Sequence, residues 1–323
     1  TPQMVGYCGR RFQVSKRAHK LCDTVNGTGG RRMKDAVFLA DLRCDGQAYG
    51  GCEMECLIFW KEAWVKRVSD AEARVDPGDR SNKRHSDDAA RLERVVTAAT
   101  LPPEKQNSSQ APVYRCQATQ MPFATERLSK WDPRQYVADL RSGNAGLGEI
   151  AAGLFFLIYE TVASSGLGLG SFLKWSYDKV QRVRGGTPYP SRAGKLPMNS
   201  RTPSARLDLR PGELVKVRSH ADVLGTVNEA LVNRGLGFHP EMVQYCSRTF
   251  RVSKRVRRLM NEKTGQVMEL KNECLVLEGA PCVGRYTNPL LCPGGMYPYW
   301  RENWHERAEP AGCSVPQSEP HSL

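Results

Sequence analysis

The chain contains the same stretch twice. Pro2-Gln3-Met4-Val5-Gly6-Tyr7-Cys8 returns as Pro240-Glu241-Met242-Val243-Gln244-Tyr245-Cys246, an offset of 238 (240 minus 2). The register holds without a gap through Arg10/Arg248, Phe12/Phe250, Val14/Val252, Ser15/Ser253, Lys16/Lys254 and Arg17/Arg255, and again at Cys44/Cys282 and Gly46/Gly284. A two-residue insertion then moves the offset to 240, matching Cys52/Cys292, Trp60/Trp300, Glu62/Glu302, Trp64/Trp304 and Arg67/Arg307. Cysteine and tryptophan are rare, so their coincidence in one register marks an internal duplication, and the fold must accommodate one small unit twice.

Each copy reads as β structure. Phe250 and Val252 alternate with polar neighbours, Asn261-Glu262-Lys263-Thr264-Gly265 supplies a hairpin turn, and Cys274-Leu275-Val276-Leu277 reads as the returning strand. Arg210 to Arg218 looks like the opening strand of a small SH3-like barrel, with a short helix expected within 221–233. The first copy shows no counterpart of that strand, so its module either lacks it or begins before Thr1. Both copies close on an aromatic segment, Phe59 to Trp64 and Tyr299 to Trp304. Tryptophans at i and i+4 predict a helix capping the barrel, with a stacking platform for a ligand as the alternative.

The expected fold class is α+β: two small SH3-like β-barrel modules related by internal duplication, joined by a helical and partly flexible middle region. The expected divisions are a first module at 1–68, a linker and helical middle at 69–203, a second module at 204–308 and a tail at 309–323. Leu42-Arg43-Cys44-Asp45-Gly46, Gly51-Cys52, Cys56 and Trp60-Lys61-Glu62-Ala63-Trp64, with Trp131 to Tyr136, resemble a family of uncharacterised bacterial proteins with paired cysteine-containing SH3-like segments. The resemblance implies the architecture and carries no activity.

The duplication sorts the cysteines, of which there are 11. Cys8, Cys44 and Cys52 recur as Cys246, Cys282 and Cys292, whereas Cys56 aligns with Met296 and belongs to the first copy alone. Cys22, Cys274 and Cys313 read as incidental. Cys8, Cys44, Cys52 and Cys56 would supply the four thiolates of a structural zinc site or an iron–sulfur cluster. Cys246, Cys282 and Cys292 would leave an open fourth position for Cys116, His305, His239, water or substrate, and an open site is where activity would be sought. Zinc is the leading cofactor expectation and an iron–sulfur cluster the alternative, against buried thiols or disulfides. Thiolate ligands and an odd cysteine count point to a reducing, cytoplasmic setting.

Between the copies the chain turns polar from Ser69 to about Pro112, with breaker clusters at Asp76 to Asp79 and Asn107 to Gln110 and a capped helix expected from Ser86. Leu147 to Leu173 is the most apolar stretch, but Glu149 and Glu160 leave only Ile150 to Tyr159 free of charge. That is about half of the ~20 residues a transmembrane helix needs, so no transmembrane segment is expected. Lys174, Lys179, Arg182 and Arg184 follow, so this helix either packs between the modules or lies on an anionic membrane surface.

With 47 Lys and Arg against 34 Asp and Glu, the formal charge is +13. The partner expected is therefore anionic: nucleic acid, an anionic polymer or an acidic lipid surface. Ser15 to Lys20 and Ser253 to Arg258 are matched basic segments that either track phosphates or form solvated strand faces. No P-loop, no G-x-G-x-x-G after a strand, no G-x-S-x-G and no H-E-x-x-H occurs, so no familiar nucleotide, hydrolase or metalloprotease chemistry is indicated.

Overall fold

The protein is described by a computed structural model over residues 1–68, 83–102, 111–166 and 168–308. The two breaker clusters, Cys313 and the tail lie outside these residues. The fold is mixed α+β with antiparallel sheets. It divides into two compact units: Thr1–Pro190 with Val256–Asn272 and Pro281–Pro298, and Ser191–Arg255 with Glu273–Ala280 and Tyr299–Leu323. The segment 204–308 thus contributes to both.

The first unit carries β1 (Val14–Arg17), β2 (Lys20–Cys22), β3 (Gly30–Arg32), β4 (Ala36–Arg43), β5 (Leu57–Lys61), α1 (Lys83–Thr100), α2 (Gln117–Ala124), β6 (Glu126–Leu128), α3 (Arg134–Ser142), α4 (Leu147–Ala163) and α5 (Gly170–Arg184). Its two three-stranded sheets run β1-β4-β5 and β2-β3-β6. Side chains alternate across a strand, and β4 is buried on both faces. Ala36 and Phe38 join Ala18, Leu21, Met33 and Met121, while Val37 and Leu39 join Met4, Ile58 and Trp60. This is why Ala36 to Leu39 is a continuous apolar run. Buried Lys20 donates to the buried carboxylate of Asp139, whose other oxygen lies 3.1 Å from His19 Nε2.

The second unit holds β7 (Leu214–Val217), α6 (His220–Leu224), β8 (Val232–Asn233), β9 (Leu236–Gly237) and β12 (His305–Arg307), and it shares β10 (Thr249–Met260) and β11 (Val267–Leu277) with the first. The larger sheet runs β11-β10-β7-β12. The opening strand and the turn at Asn261 to Gly265 lie where the sequence puts them, the turn closed by Asn261 N–H to Gln266 O at 2.8 Å with Gly265 at φ +76°. The helix within 221–233 is one short piece, His220–Leu224, started by the Ser219 side chain accepting from Asp222 N–H.

The expected aromatic helices are absent. Trp60 lies within a strand and Glu62–Trp64 is a single 3₁₀ turn; Trp300 forms a two-way backbone bridge to Leu275, and Glu302–Trp304 is again a 3₁₀ turn. Strand pairing therefore overrides the i, i+4 spacing. Trp300 and Trp304 are fully buried, whereas Trp64 is largely exposed.

Positions matched by the sequence offset share local geometry. Tyr7 meets Phe12 edge-on at 5.6 Å, and Tyr245 meets Phe250 edge-on at 5.5 Å. Arg17 pairs with Glu62 at 3.0 Å, and Arg255 with Glu302 at 2.6 Å. Gly46 (φ +68°) and Gly284 (φ +72°) lie against the backbones of Cys52 and Cys292, where a Cβ would approach to 1.7 and 2.3 Å. Only glycine combines that backbone angle with that proximity.

Candidate functional site

The opening turn of each copy explains two of the matched cysteines. Cys8 and Cys246 each follow a six-residue 3₁₀ turn and donate Sγ–H back to its carbonyls, to Met4 O at 3.7 Å and Met242 O at 4.0 Å. Cys246 packs against the core of the second unit, and burial pushes its thiol up to about 12. Both cysteines finish a turn.

Cys44, Cys52, Cys56 and Cys116 instead line one small cavity of about 30 Å³ with Thr1, Tyr49 and Gln117, room for about one water. Cys116 precedes α2, and the neighbouring Gln117 side chain bonds both ways with the Phe59 backbone at 2.9 Å. Burial raises the Cys44 thiol to about 11 and drives Cys56 well above its ordinary value. Among the described residues no group of three or more His, Cys, Asp or Glu side chains is placed to hold a metal ion. This overturns the expectation of two cysteine-ligated sites, zinc or iron–sulfur, built on Cys8, Cys44, Cys52 and Cys56 and on Cys246, Cys282 and Cys292 with Cys116. Recurrence identified residues that close turns and pack; it did not establish convergence of thiolates. Of the histidines suggested as fourth ligands, His305 is buried, which holds its pKa down to about 4, and desolvation also lowers that of His239.

The sequence treated Cys22 as incidental, yet its thiol donates to Cys292. That bond, with the Gly294 N–H and the Lys20 ammonium, lowers the Cys292 thiol, while the same bond and burial raise Cys22. Cys282 lies near enough to act on Cys22 electrostatically. The described cysteines are all free thiols.

The matched basic segments are largely engaged within the molecule. Arg17 pairs with Glu62, Lys20 with Asp139, Arg255 with Glu273 and Glu302, and Arg258 with Glu269. Paired cations attract a polyanion less than free ones do.

The most distinctive surface belongs to α4 and α5. Glu149 starts α4 by accepting from Gly146 N–H at 2.9 Å, and Gly166 and Gly168, both at φ +76°, separate the two helices. Ile150, Gly153, Phe156 and Ala163 are the buried face of α4. The Tyr159 hydroxyl joins the helices through Leu173 O and Ser176 Oγ, and Phe156, Tyr159 and Tyr177 surround buried Tyr189. Glu160, which interrupts the apolar stretch, accepts from the Tyr189 hydroxyl, and Asp178 accepts from Tyr189 N–H at 2.7 Å. Both acids of this layer are thereby occupied.

The opposite faces are exposed and apolar. On α4 they show Leu147, Phe155, Ile158 and Val162; on α5, Phe172, Trp175, Val180 and Val183, with Phe172 62% and Val183 89% exposed. The α4 residues recur at i, i+8, i+11 and i+15, a single helical stripe. Phe172 and Trp175 rings lie 6.0 Å apart, the Lys179 ammonium sits 5.7 Å from the Trp175 ring centre, and Arg182 is one turn on. Neither Lys179 nor Arg182 forms a salt bridge among the described residues. Among the described residues no helix is long and apolar enough to cross a membrane.

No protein-family model and no curated protein matches the chain.

Proposed function

We propose that this is a peripheral protein of anionic lipid surfaces, attached by the outer faces of α4 and α5. The observation that carries the reading is a run of exposed apolar side chains beside Lys179 and Arg182, which form no salt bridge among the described residues, with the local acids turned to internal bonds. Such helices lie in the interfacial plane, aromatic and aliphatic groups among the acyl chains and lysine and arginine at the headgroups. Lys179 and Arg182 would each contribute about 1 kcal/mol at an anionic surface. A half-exposed large apolar side chain would add on the order of 1 kcal/mol on leaving water. The basic segments favour a nucleic-acid partner less, because Arg17, Lys20, Arg255 and Arg258 already form ion pairs within the molecule.

The remainder of the chain is read as two diverged copies of a small SH3-like module. Its free thiols suit the reducing cytoplasmic side of a membrane. Co-sedimentation with phosphatidylserine–phosphatidylcholine vesicles tests the attachment. Binding that weakens with salt and is much lower on pure phosphatidylcholine supports it. Self-association through the helices with no vesicle binding contradicts it.

A further inference from the structure

We infer that a cavity at the open end of the α4–α5 pair is a binding site for the phosphate monoester headgroup of a lipid. The inference rests on the lipid-surface reading and names the ligand class that reading leaves open. The cavity, of about 520 Å³, lies between the first turns of α4, the last turns of α5 and the segment Val283 to Leu291. That volume falls within the range of small-molecule sites, about 300–1,000 Å³.

Its walls are of two kinds. One is aromatic: Phe156 stands 4.7 Å from Tyr286 and 6.1 Å from Tyr177, both edge-on. The other is cationic: Arg184, at the end of α5, and Arg285 both line the cavity. Neither guanidinium forms a salt bridge or a side-chain hydrogen bond among the described residues. Glu149, the carboxylate on the lining, already accepts from Gly146 N–H. Phe155, on the rim, also belongs to the exposed stripe of α4.

Two arginines with no salt bridge among the described residues, beside an aromatic wall, suit a ligand with a compact, doubly charged head and an apolar remainder. A guanidinium presents paired N–H donors matching phosphate oxygens, and a monoester exposes more of those oxygens than a diester. Sharing Phe155 between rim and stripe would let the acyl chains leave along the lipid-facing surface. A headgroup bound there is continuous with the bilayer.

The probe is dihexanoyl phosphatidic acid below its micelle concentration, titrated calorimetrically against the full chain, with inorganic phosphate in parallel. Monomeric lipid tests the cavity without a bilayer, so the result is separate from the vesicle test of attachment. Saturable binding is expected, about tenfold weaker in the Arg184→Gln/Arg285→Gln variant, with inorganic phosphate weaker than the lipid. Equal affinity of the variant and the natural chain, or no saturable binding, overturns the assignment. Inorganic phosphate bound as tightly as the lipid, and lost in the variant, assigns the site to a free phosphate and overturns the lipid source.

Discussion

Glu302 accepts from Arg255 at 2.6 Å, and its two oxygens also receive the backbone N–H groups of Leu207 and Leu209 at 2.8 and 3.1 Å. Its counterpart in the repeat, Glu62, pairs with Arg17 at 3.0 Å on a surface where both side chains are more than two-fifths exposed. The same pair is therefore worth different amounts in its two positions. Glu302→Ala leaves two amides without an acceptor and removes one of the two carboxylates on Arg255, and should cost about 3 kcal/mol. Glu62→Ala should cost less than about 1 kcal/mol. Urea midpoints compare them, and equal losses would contradict the account.

Gly284 is expected to resist any side chain. Its φ of +72° and the 2.3 Å approach of a Cβ to Cys292 N act together, whereas Gly212, at φ +89°, has nothing within 4 Å. Gly212→Ala should show only the backbone cost, about 1–2 kcal/mol. Gly284→Ala should exceed it by about 1 kcal/mol or more. Thermal unfolding of the two variants gives the difference.

His305 makes stability depend on pH. Its Nδ1 lies 2.9 Å from Arg301 O, and its buried Nε2 has no hydrogen-bond partner, so a proton there would sit desolvated. Burial holds the folded pKa near 4, below the ~6.5 of an exposed histidine. The contribution is complete above about pH 6.5 and is lost as pH falls toward 4, in total on the order of 3 kcal/mol. Denaturant midpoints at pH 7.5 and 4.5 should converge in His305→Gln relative to the natural chain. An unchanged gap would show that other groups carry the dependence.

The Lys20–Asp139 pair should behave as a unit. Both side chains are fully buried, and the Lys20 ammonium also sits 5.2 Å from the Tyr136 ring. Asp139→Asn removes the counter-charge and should cost about 3–5 kcal/mol. Lys20→Met in the same chain should restore part of that loss, which a double-mutant cycle measures.

Much of the β framework was legible in the sequence, because a two-residue period and turn-forming residues act locally. Thr249–Met260, its turn at Asn261 to Gly265 and the opening strand Leu214–Val217 all lie where the pattern puts them. The aromatic segments were not legible: Trp60 and Trp300 are placed by pairing with Val37 and Leu275, partners far away in the chain. Cysteine spacing misled for a related reason. It shows which positions recur, but Cys8 and Cys246 are held by the carbonyl four residues back, and Cys22 meets Cys292 only through the fold. The apolar run before a basic segment was visible at 147–184. Which of its faces stays uncovered depends on Tyr189, which occupies the other.

The central claim is that the exposed faces of α4 and α5 meet lipid. Titrating phosphatidylserine-containing vesicles against the natural chain and the Phe172→Ser/Trp175→Ser variant tests it most directly. Both residues are more than half exposed, so the variant should melt within about 2 °C of the natural chain. The account predicts vesicle binding at least about tenfold weaker in the variant. Equal binding by two equally folded chains would contradict it.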